Sequence, residues 1–424
     1  MKKQLFIFLL FCCGFSCIAQ EISAELAQKV IQWRHEIHQN PELSNREFKT
    51  AQKVADHMRG LGIEVQTGIA HTGVVGILKG NKAGKVIALR ADMDALPVTE
   101  RNDLPYKSNV RAMYNGQETG VMHACGHDMH VAILMGVAEQ LAKDKDFPGT
   151  VKFIFQPAEE GAPQGEEGGA DMMIEEGVLE NPRVDAIFGL HINSGLHAGK
   201  VSYRARGIMA SAQRFVINIK GKQAHGSAPW SSVDPIMIAG KIIDGLQSII
   251  SRNVDLTNEA AVISVGSIHS GIRFNIIPET AEMIGTIRTL DKGMKEIIRE
   301  RMKSLVPKIA QAYGGDAVVT ISDGAPVTYN DPALTAQMIP SIEKVLGKEN
   351  VLEVNAVTGA EDFSYFQQEI PGLYFFLGGA SPSTQESKPL SSHHTPGFMV
   401  DDSALIHGVK VMTTLTKDYL NQND

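Results

Sequence analysis

Cysteine is scarce in this chain of 424 residues, and so is positive charge. Only four cysteines are present, and three of them, Cys12, Cys13 and Cys17, fall within the first 19 residues. If those residues are removed, Cys125 is the one thiol left and no internal disulfide can form. Lysine and arginine number 40 against 48 acids, a net charge of -8, so the basic excess of a nucleic-acid binder is missing. Beyond residue 20 no apolar run reaches the roughly 20 residues needed to cross a bilayer. Aromatic residues make up only 6% of the chain, yet 43% is hydrophobic and 21% charged, which excludes wholesale disorder and leaves ample material for a core. At about 100–200 residues per domain the length suggests two or three domains.

What the chain does have begins at its N-terminus. Lys2 and Lys3 precede the apolar run from Leu5 to Cys13, and Ala19 offers a small residue at a cleavage point before Gln20. This pattern is that of a secretory signal peptide over 1–19, and the expected location is exported, periplasmic or secreted. Lipoprotein anchoring through Cys17 fits less well, because Gly14-Phe15-Ser16 matches a lipid-attachment box poorly. Processing removes two lysines and no acids, moving the net charge to -10.

The periodicities predict an α/β chain. A helical pattern over 21–60 breaks at Asn40-Pro41, and strand-like runs follow at 73–78 and 86–89. An apolar helix over 128–143 comes next, then buried strands at 151–155 and 186–190. Alternating strands and helices imply a largely parallel sheet. Residues 203–323 read differently. Strand 212–219, helix 235–250, strands 261–268 and 281–288, helix 292–313 and strand 317–321 give the order β-α-β-β-α-β, a ferredoxin-like unit. The expected organisation is therefore a leader at 1–19, an α/β domain in two segments, 20–202 and 324–424, and an inserted domain at 203–323.

Three polar clusters interrupt this apolar framework. In His123-Ala124-Cys125-Gly126-His127-Asp128 a thiol and an imidazole two residues apart can reach one metal ion if the backbone turns, and Gly126 permits the turn. Gln156-Pro157-Ala158-Glu159-Glu160-Gly161 follows a buried strand, where open α/β sheets gather their sites. There one carboxylate can bind a metal while its neighbour handles the proton of a water. The third cluster is Ser392-His393-His394-Thr395-Pro396, with Glu361-Asp362 upstream, and His191 ends a further strand run. Cys125, His127, Glu160, His191 and one of His393 and His394 together suit two borderline divalent ions such as Zn, Mn, Co or Ni.

These segments, read with ALRADMDALPV at 88–98, GKQAHGSAP at 221–229, FNIIPE at 274–279 and GTIRT at 285–289, resemble the metal-dependent amidohydrolases related to aminoacylase and carboxypeptidase G. The likeness is to the branch of hippurate hydrolase, N-acyl-amino-acid amidohydrolase and the plant auxin-conjugate hydrolases, and it runs from about Ile31 to Leu420. It implies a dinuclear-metal catalytic α/β domain with the inserted domain as lid and dimerisation unit. The activity it implies is cleavage of N-acyl amino acids to carboxylate and free amino acid, with dipeptidase or carboxypeptidase-like action on short peptides or cell-wall amides as the alternative.

The resemblance also implies roles. Cys125, His127, Glu160, His191 and His394 would ligate two divalent ions; His394 is preferred to His393 because it precedes a small polar residue and a proline. Glu159 would be the general base, and Asp94 would orient a ligand. His225 would bind substrate or stabilise the oxyanion, from across a homodimer, and Asn275 and Arg288 would contact a substrate carboxylate. Three features depart from the pattern. Ser194 stands where a proline is usual, Ala360 stands where a serine is usual before Glu361-Asp362, and the stretch from Asn109 to Thr119 is longer than usual.

Overall fold

The computed structural model describes residues 21–381, 383 and 392–422. The leader read at 1–19, with Cys12, Cys13 and Cys17, lies outside the described residues. Among the described residues, no helix is long and apolar enough to cross a membrane.

The largest sheet has eight strands. In spatial order they are Glu64–Ile69, Gly73–Lys79, Pro148–Gln156, Lys82–Asp92, Ala186–His197, Gly372–Ala380, Val201–Tyr203 and Val351–Glu353. The sheet is mixed, which corrects the expectation of a largely parallel one. Its centre is parallel, with Lys82–Asp92 between Pro148–Gln156 and Ala186–His197, and Gly372–Ala380 continues the same sense. Towards one edge, Gly73–Lys79 and Glu64–Ile69 turn antiparallel. Those two strands follow one another through a tight hairpin, a connection that only antiparallel neighbours can use.

Gly73–Lys79 and Pro148–Gln156 are buried along nearly their whole length, because helices cover both faces. On one face the helix His127–Lys143 lies in contact with Lys82–Asp92 and is itself covered by Ala24–Gln39 and Ser403–Leu420. It is buried almost all round, which explains why its sequence carries an apolar run rather than a stripe. Gly136 marks the closest approach: a Cβ there would meet Val30 and Val409 at 2.8 and 2.9 Å. The opposite face is covered by the short helices Gly169–Glu175 and Phe363–Glu369, whose Met173, Phe363 and Phe366 are fully buried.

A separate antiparallel sheet has the order Ala261–Ser270, Thr280–Thr289, Ser211–Lys220, Asp316–Ile321. Burial alternates along Ser211–Lys220, the mark of a sheet covered on one side only. The covering helices are Pro235–Asn253 and Lys292–Ala312. Asp234 and Asp291 cap them by accepting backbone N–H bonds. This unit has its own core around Phe215, Ile217, Ile242, Met283, Ile298 and Met302. The long stretch 109–119 folds into a hairpin, Arg111–Tyr114 against Gln117–Gly120, turned by Asn115-Gly116 with both residues at positive φ.

Candidate metal centre

The proposed ligands come from four loops and strands that converge at the carboxyl ends of the central parallel strands. Cys125 and His127 flank Gly126, whose φ is 96°. A Cβ at Gly126 would sit 2.1 Å from Ile192 Cγ2, so the turn that presents both ligands needs glycine for its backbone and for its space. Glu159 and Glu160 follow Ala158, a non-glycine residue at φ 52°, and His394 is at φ 61°. Left-handed backbone at residues with side chains gathers where surrounding structure holds it in place. The loop carrying His394 is anchored by its own N–H, which donates to Ala124 O at 2.8 Å.

Cys125 Sγ sits at the middle of the cluster. It lies 3.3 Å from His191 Nε2, 3.2 Å from His394 Nε2 and 3.6 Å from His393 Nδ1. His394 Nε2 is also 3.1 Å from Glu160 Oε1, and His127 Nε2 is 4.0 Å from the same oxygen. His127 Nε2 and Glu160 Oε1 are buried without a hydrogen-bond partner. Two buried polar atoms that face one region without a hydrogen bond to each other suit a cation site better than a closed hydrogen-bonded core. The donor atoms of Cys125, His127 and Glu160 lie within 4.8 Å of one another, as do those of Cys125, His191 and His393. Both triplets share the sulfur, and the first, with its sulfur, imidazole and carboxylate, suits a borderline divalent ion.

The ring orientations agree with this. His127 Nδ1 donates to Asp94 O at 2.8 Å and approaches Asp94 Oδ1 at 3.2 Å. Asp94 Oδ2 in turn accepts from Ser44 Oγ and from the Glu160 N–H. One aspartate thereby fixes the tautomer of His127 and the position of Glu160. His191 Nδ1 donates to Ile192 O at 2.7 Å, leaving Nε2 for the sulfur side.

Electrostatics separates the groups. Burial and the carboxylates of Glu160 and Glu159 push the Cys125 thiol well above its ordinary value, so a thiolate here needs a cation beside it. Burial, with Glu361 and Glu160 as neighbours, raises Glu159 well above the usual carboxylate range. For His127, burial favours the neutral ring, but Asp92 and Asp94 outweigh it and raise the imidazole to about 10. Glu159 Oε2 is 3.8 Å from His127 Nε2.

Sequence reasoning passed over the layer behind these residues. Buried Arg90 donates to Gln156 Oε1, Asp92 Oδ2, Glu361 Oε1 and Asp362 Oδ1 within 2.6–2.8 Å. Asp92 Oδ1 lies 2.5 Å from His130 Nδ1, and His130 Nε2 accepts the Ile192 N–H. Two signals were available. Asp92 ends one strand with Asp94 two residues beyond it, and His130 follows His127 by three positions on one helix, which puts those two on the same face.

A cavity of about 540 Å³ opens in front of the cluster. Cys125, Glu159, Glu160, His191, His393 and His394 line it, and Ile192, Met209, Val354, Val357 and Phe376 add apolar surface. The remaining expected residues do not line it. His225 is exposed on the short strand Ala224–His225, its Nδ1 accepting from Ser227 Oγ at 2.7 Å. Asn275 is close by, its carbonyl accepting the Gly226 N–H, and its Oδ1 is buried without a partner. Arg288 is partly buried on Thr280–Thr289, opposite Ala212 and Val262.

A family profile described as Peptidase family M20/M25/M40 matches residues 88–418, a span that holds every residue of the cluster. The chain belongs to the M20/M25/M40 family. It is 42% identical over 401 residues to thermostable carboxypeptidase 2 of Saccharolobus solfataricus, covering 94% of this chain and 97% of that protein. It is 38% identical over 379 residues to N-acetylcysteine deacetylase of Bacillus subtilis, covering 89% and 93%. Among solved structures, it is similar to a Bacillus subtilis protein described as a dinuclear metal binding peptidase of the M20 family. That match has 33% identity and a TM-score of 0.79, and covers 95% of this chain and all of the other. The M20 match takes in the eight-stranded sheet's parallel centre and the separate four-stranded sheet alike.

Proposed function

We propose that this M20 chain is a dinuclear metal-dependent amidohydrolase that cleaves N-acyl amino acids to a carboxylate and a free amino acid. The carrying observation is the sulfur-centred donor cluster with Glu159 at its edge, opening onto a cavity that also has apolar lining residues. Cys125, His127, Glu160, His191 and His394 would hold two divalent ions (Zn, Mn, Co or Ni). Bound as a pair, such ions polarise an amide carbonyl and make water a better nucleophile at neutral pH. Glu159 takes the proton of the attacking water and returns it to the departing nitrogen, a task suited to a carboxylate with a raised pKa. Asp94 keeps His127 and Glu160 in register. The apolar surface takes up the acyl group.

The rest of the reading concerns the whole chain. Residues 203–323 act as an inserted ferredoxin-like lid and dimerisation domain between catalytic segments 20–202 and 324–424. The separate sheet and core of that unit support this. His225, Asn275 and Arg288 on the lid bind the substrate's carboxylate end. His225 is exposed rather than on the cavity wall, which supports a role completed by closure or by a second copy in a homodimer. The leader at 1–19 directs export to the periplasm or beyond.

The relative named carboxypeptidase at 42% identity favours a second reading, in which the amide belongs to a short peptide. Both are tested with residues 20–424, supplied with Mn, Zn or Co, against N-acetyl amino acids, hippurate, indoleacetyl-amino acids and dipeptides. Chelator-sensitive release of amino acid from the acyl conjugates is expected. Turnover of peptides alone moves the assignment to the second reading, and silence on both sets overturns it.

A further inference from the structure

The two adjacent histidines, His393 and His394, both approach Cys125 Sγ, yet their surroundings differ. His394 presents Nε2 to the sulfur and to Glu160 Oε1, at 3.2 and 3.1 Å. His393 presents Nδ1 to the sulfur at 3.6 Å, and its other nitrogen, Nε2, accepts the backbone N–H of Ser194 at 3.4 Å. A ring nitrogen that accepts an N–H carries no proton of its own, so the His393 proton is assigned to Nδ1, the atom facing Cys125. That nitrogen has no lone pair to give a metal. It has an N–H to give the sulfur, and 3.6 Å is within range for a sulfur acceptor. The ring is held in place by Phe398, with centroids 4.7 Å apart, and by His191 edge-on at 5.3 Å.

We infer that His393 is a positioning residue that donates an Nδ1–H hydrogen bond to the Cys125 thiolate, with its tautomer set by the Ser194 backbone, and is not itself a metal ligand. This rests on the reading of Cys125 as a ligating thiolate. The device depends on position 194 having an N–H. Ser194 stands where the resemblance leads one to expect proline, and proline has no N–H to offer. An N–H bond to a ligating sulfur withdraws electron density from it. It weakens donation to the ions and makes them more electrophilic, and it also fixes the sulfur's direction.

Cobalt(II) loading of the exported form, residues 20–424, provides the test, because a thiolate bound to cobalt gives a sulfur-to-metal charge-transfer band whose energy reports on the sulfur. His393→Leu removes the donor. His393→Asn keeps an N–H near the same place, and Ser194→Pro leaves the imidazole but removes the group that fixes its tautomer. In His393→Leu and Ser194→Pro the band is expected to move to lower energy with two cobalt ions still bound at saturation, while cobalt affinity changes by about tenfold. His393→Asn is expected to restore most of the wild-type band. An unmoved band in His393→Leu overturns the inference, and so does loss of one ion, which would make His393 a ligand. A wild-type chain with no sulfur-to-cobalt band overturns the metal reading beneath it. The asparagine and leucine variants are read against each other, so a folding defect in Ser194→Pro leaves the comparison intact.

Discussion

Glu159 and Glu160 are neighbours in sequence to which we assign different duties, and the difference comes from what each carboxylate faces. Glu160 has its N–H held by Asp94 and an oxygen beside His394. Desolvation, then the charges of Glu361, Glu160 and Asp362, raise the Glu159 carboxyl above its ordinary value. Glu159→Gln is expected to lower kcat by about 10²–10⁴-fold while both ions stay bound, measured by turnover beside elemental analysis. Near-normal turnover in that variant would falsify its role as base. Gly126→Ala is expected to fail differently. It forces a Cβ into Ile192 at an unfavourable φ, so metal content and thermal stability fall together, by about 1–3 kcal/mol for the strain and overpacking. The residues of the donor cluster were legible in the sequence as candidates because cysteine, histidine and glutamate stood out in otherwise apolar surroundings. The carboxylate layer around Arg90 was not, because Arg90, Asp92, Glu361 and Asp362 meet only through long-range packing.

Helix and strand positions were legible where one period dominated. The helix expected over 128–143 is found at His127–Lys143, and those expected at 235–250 and 292–313 are found at Pro235–Asn253 and Lys292–Ala312. Strand order was not legible. Gly372–Ala380 lies between Ala186–His197 and Val201–Tyr203, a pairing chosen by sheet packing across almost two hundred residues and by nothing local. The Asn115-Gly116 dipeptide is a hairpin signal that the reading of 109–119 as a long stretch did not use. At this scale the helix His127–Lys143 depends on Asp128, whose Oδ2 accepts from Arg34 Nε at 2.8 Å and lies 2.9 Å from His38 Nδ1. Burial alone would raise the Asp128 pKa, but Arg34 and His38 outweigh it and hold the carboxyl well below its usual range. A carboxyl depressed in the folded state stabilises the fold above its unfolded pKa, about 3.9, and that contribution fades as pH falls below it. Asp128→Asn is therefore expected to cost about 3 kcal/mol at neutral pH, leaving the buried Arg34 undercompensated. It should also flatten the acid limb of a stability-against-pH curve measured by denaturant titration.

For the whole molecule, bound ions are expected to stabilise the fold as well as serve the chemistry. Asp92, Glu159 and Glu361 place oxygens within 4.8 Å of one another, and Arg90, His127 and His130 meet part of that charge. Chelation is expected to lower Tm, and reloading to restore it in a concentration-dependent way. A free metal level about 100 times Kd corresponds to about 2.7 kcal/mol. An identical Tm with and without metal would show that the cluster folds unaided.

The order of the donors along the chain gives them a place in time. Cys125, His127, Glu160 and His191 are all translated before the four-stranded unit, and His394 only after it, in a loop that closes by bonding back to Ala124. A nascent chain therefore carries four of the five proposed donors for some two hundred residues before the fifth exists. The complete cage is a late product of synthesis, and the ions that fill it are those present where the finished chain folds.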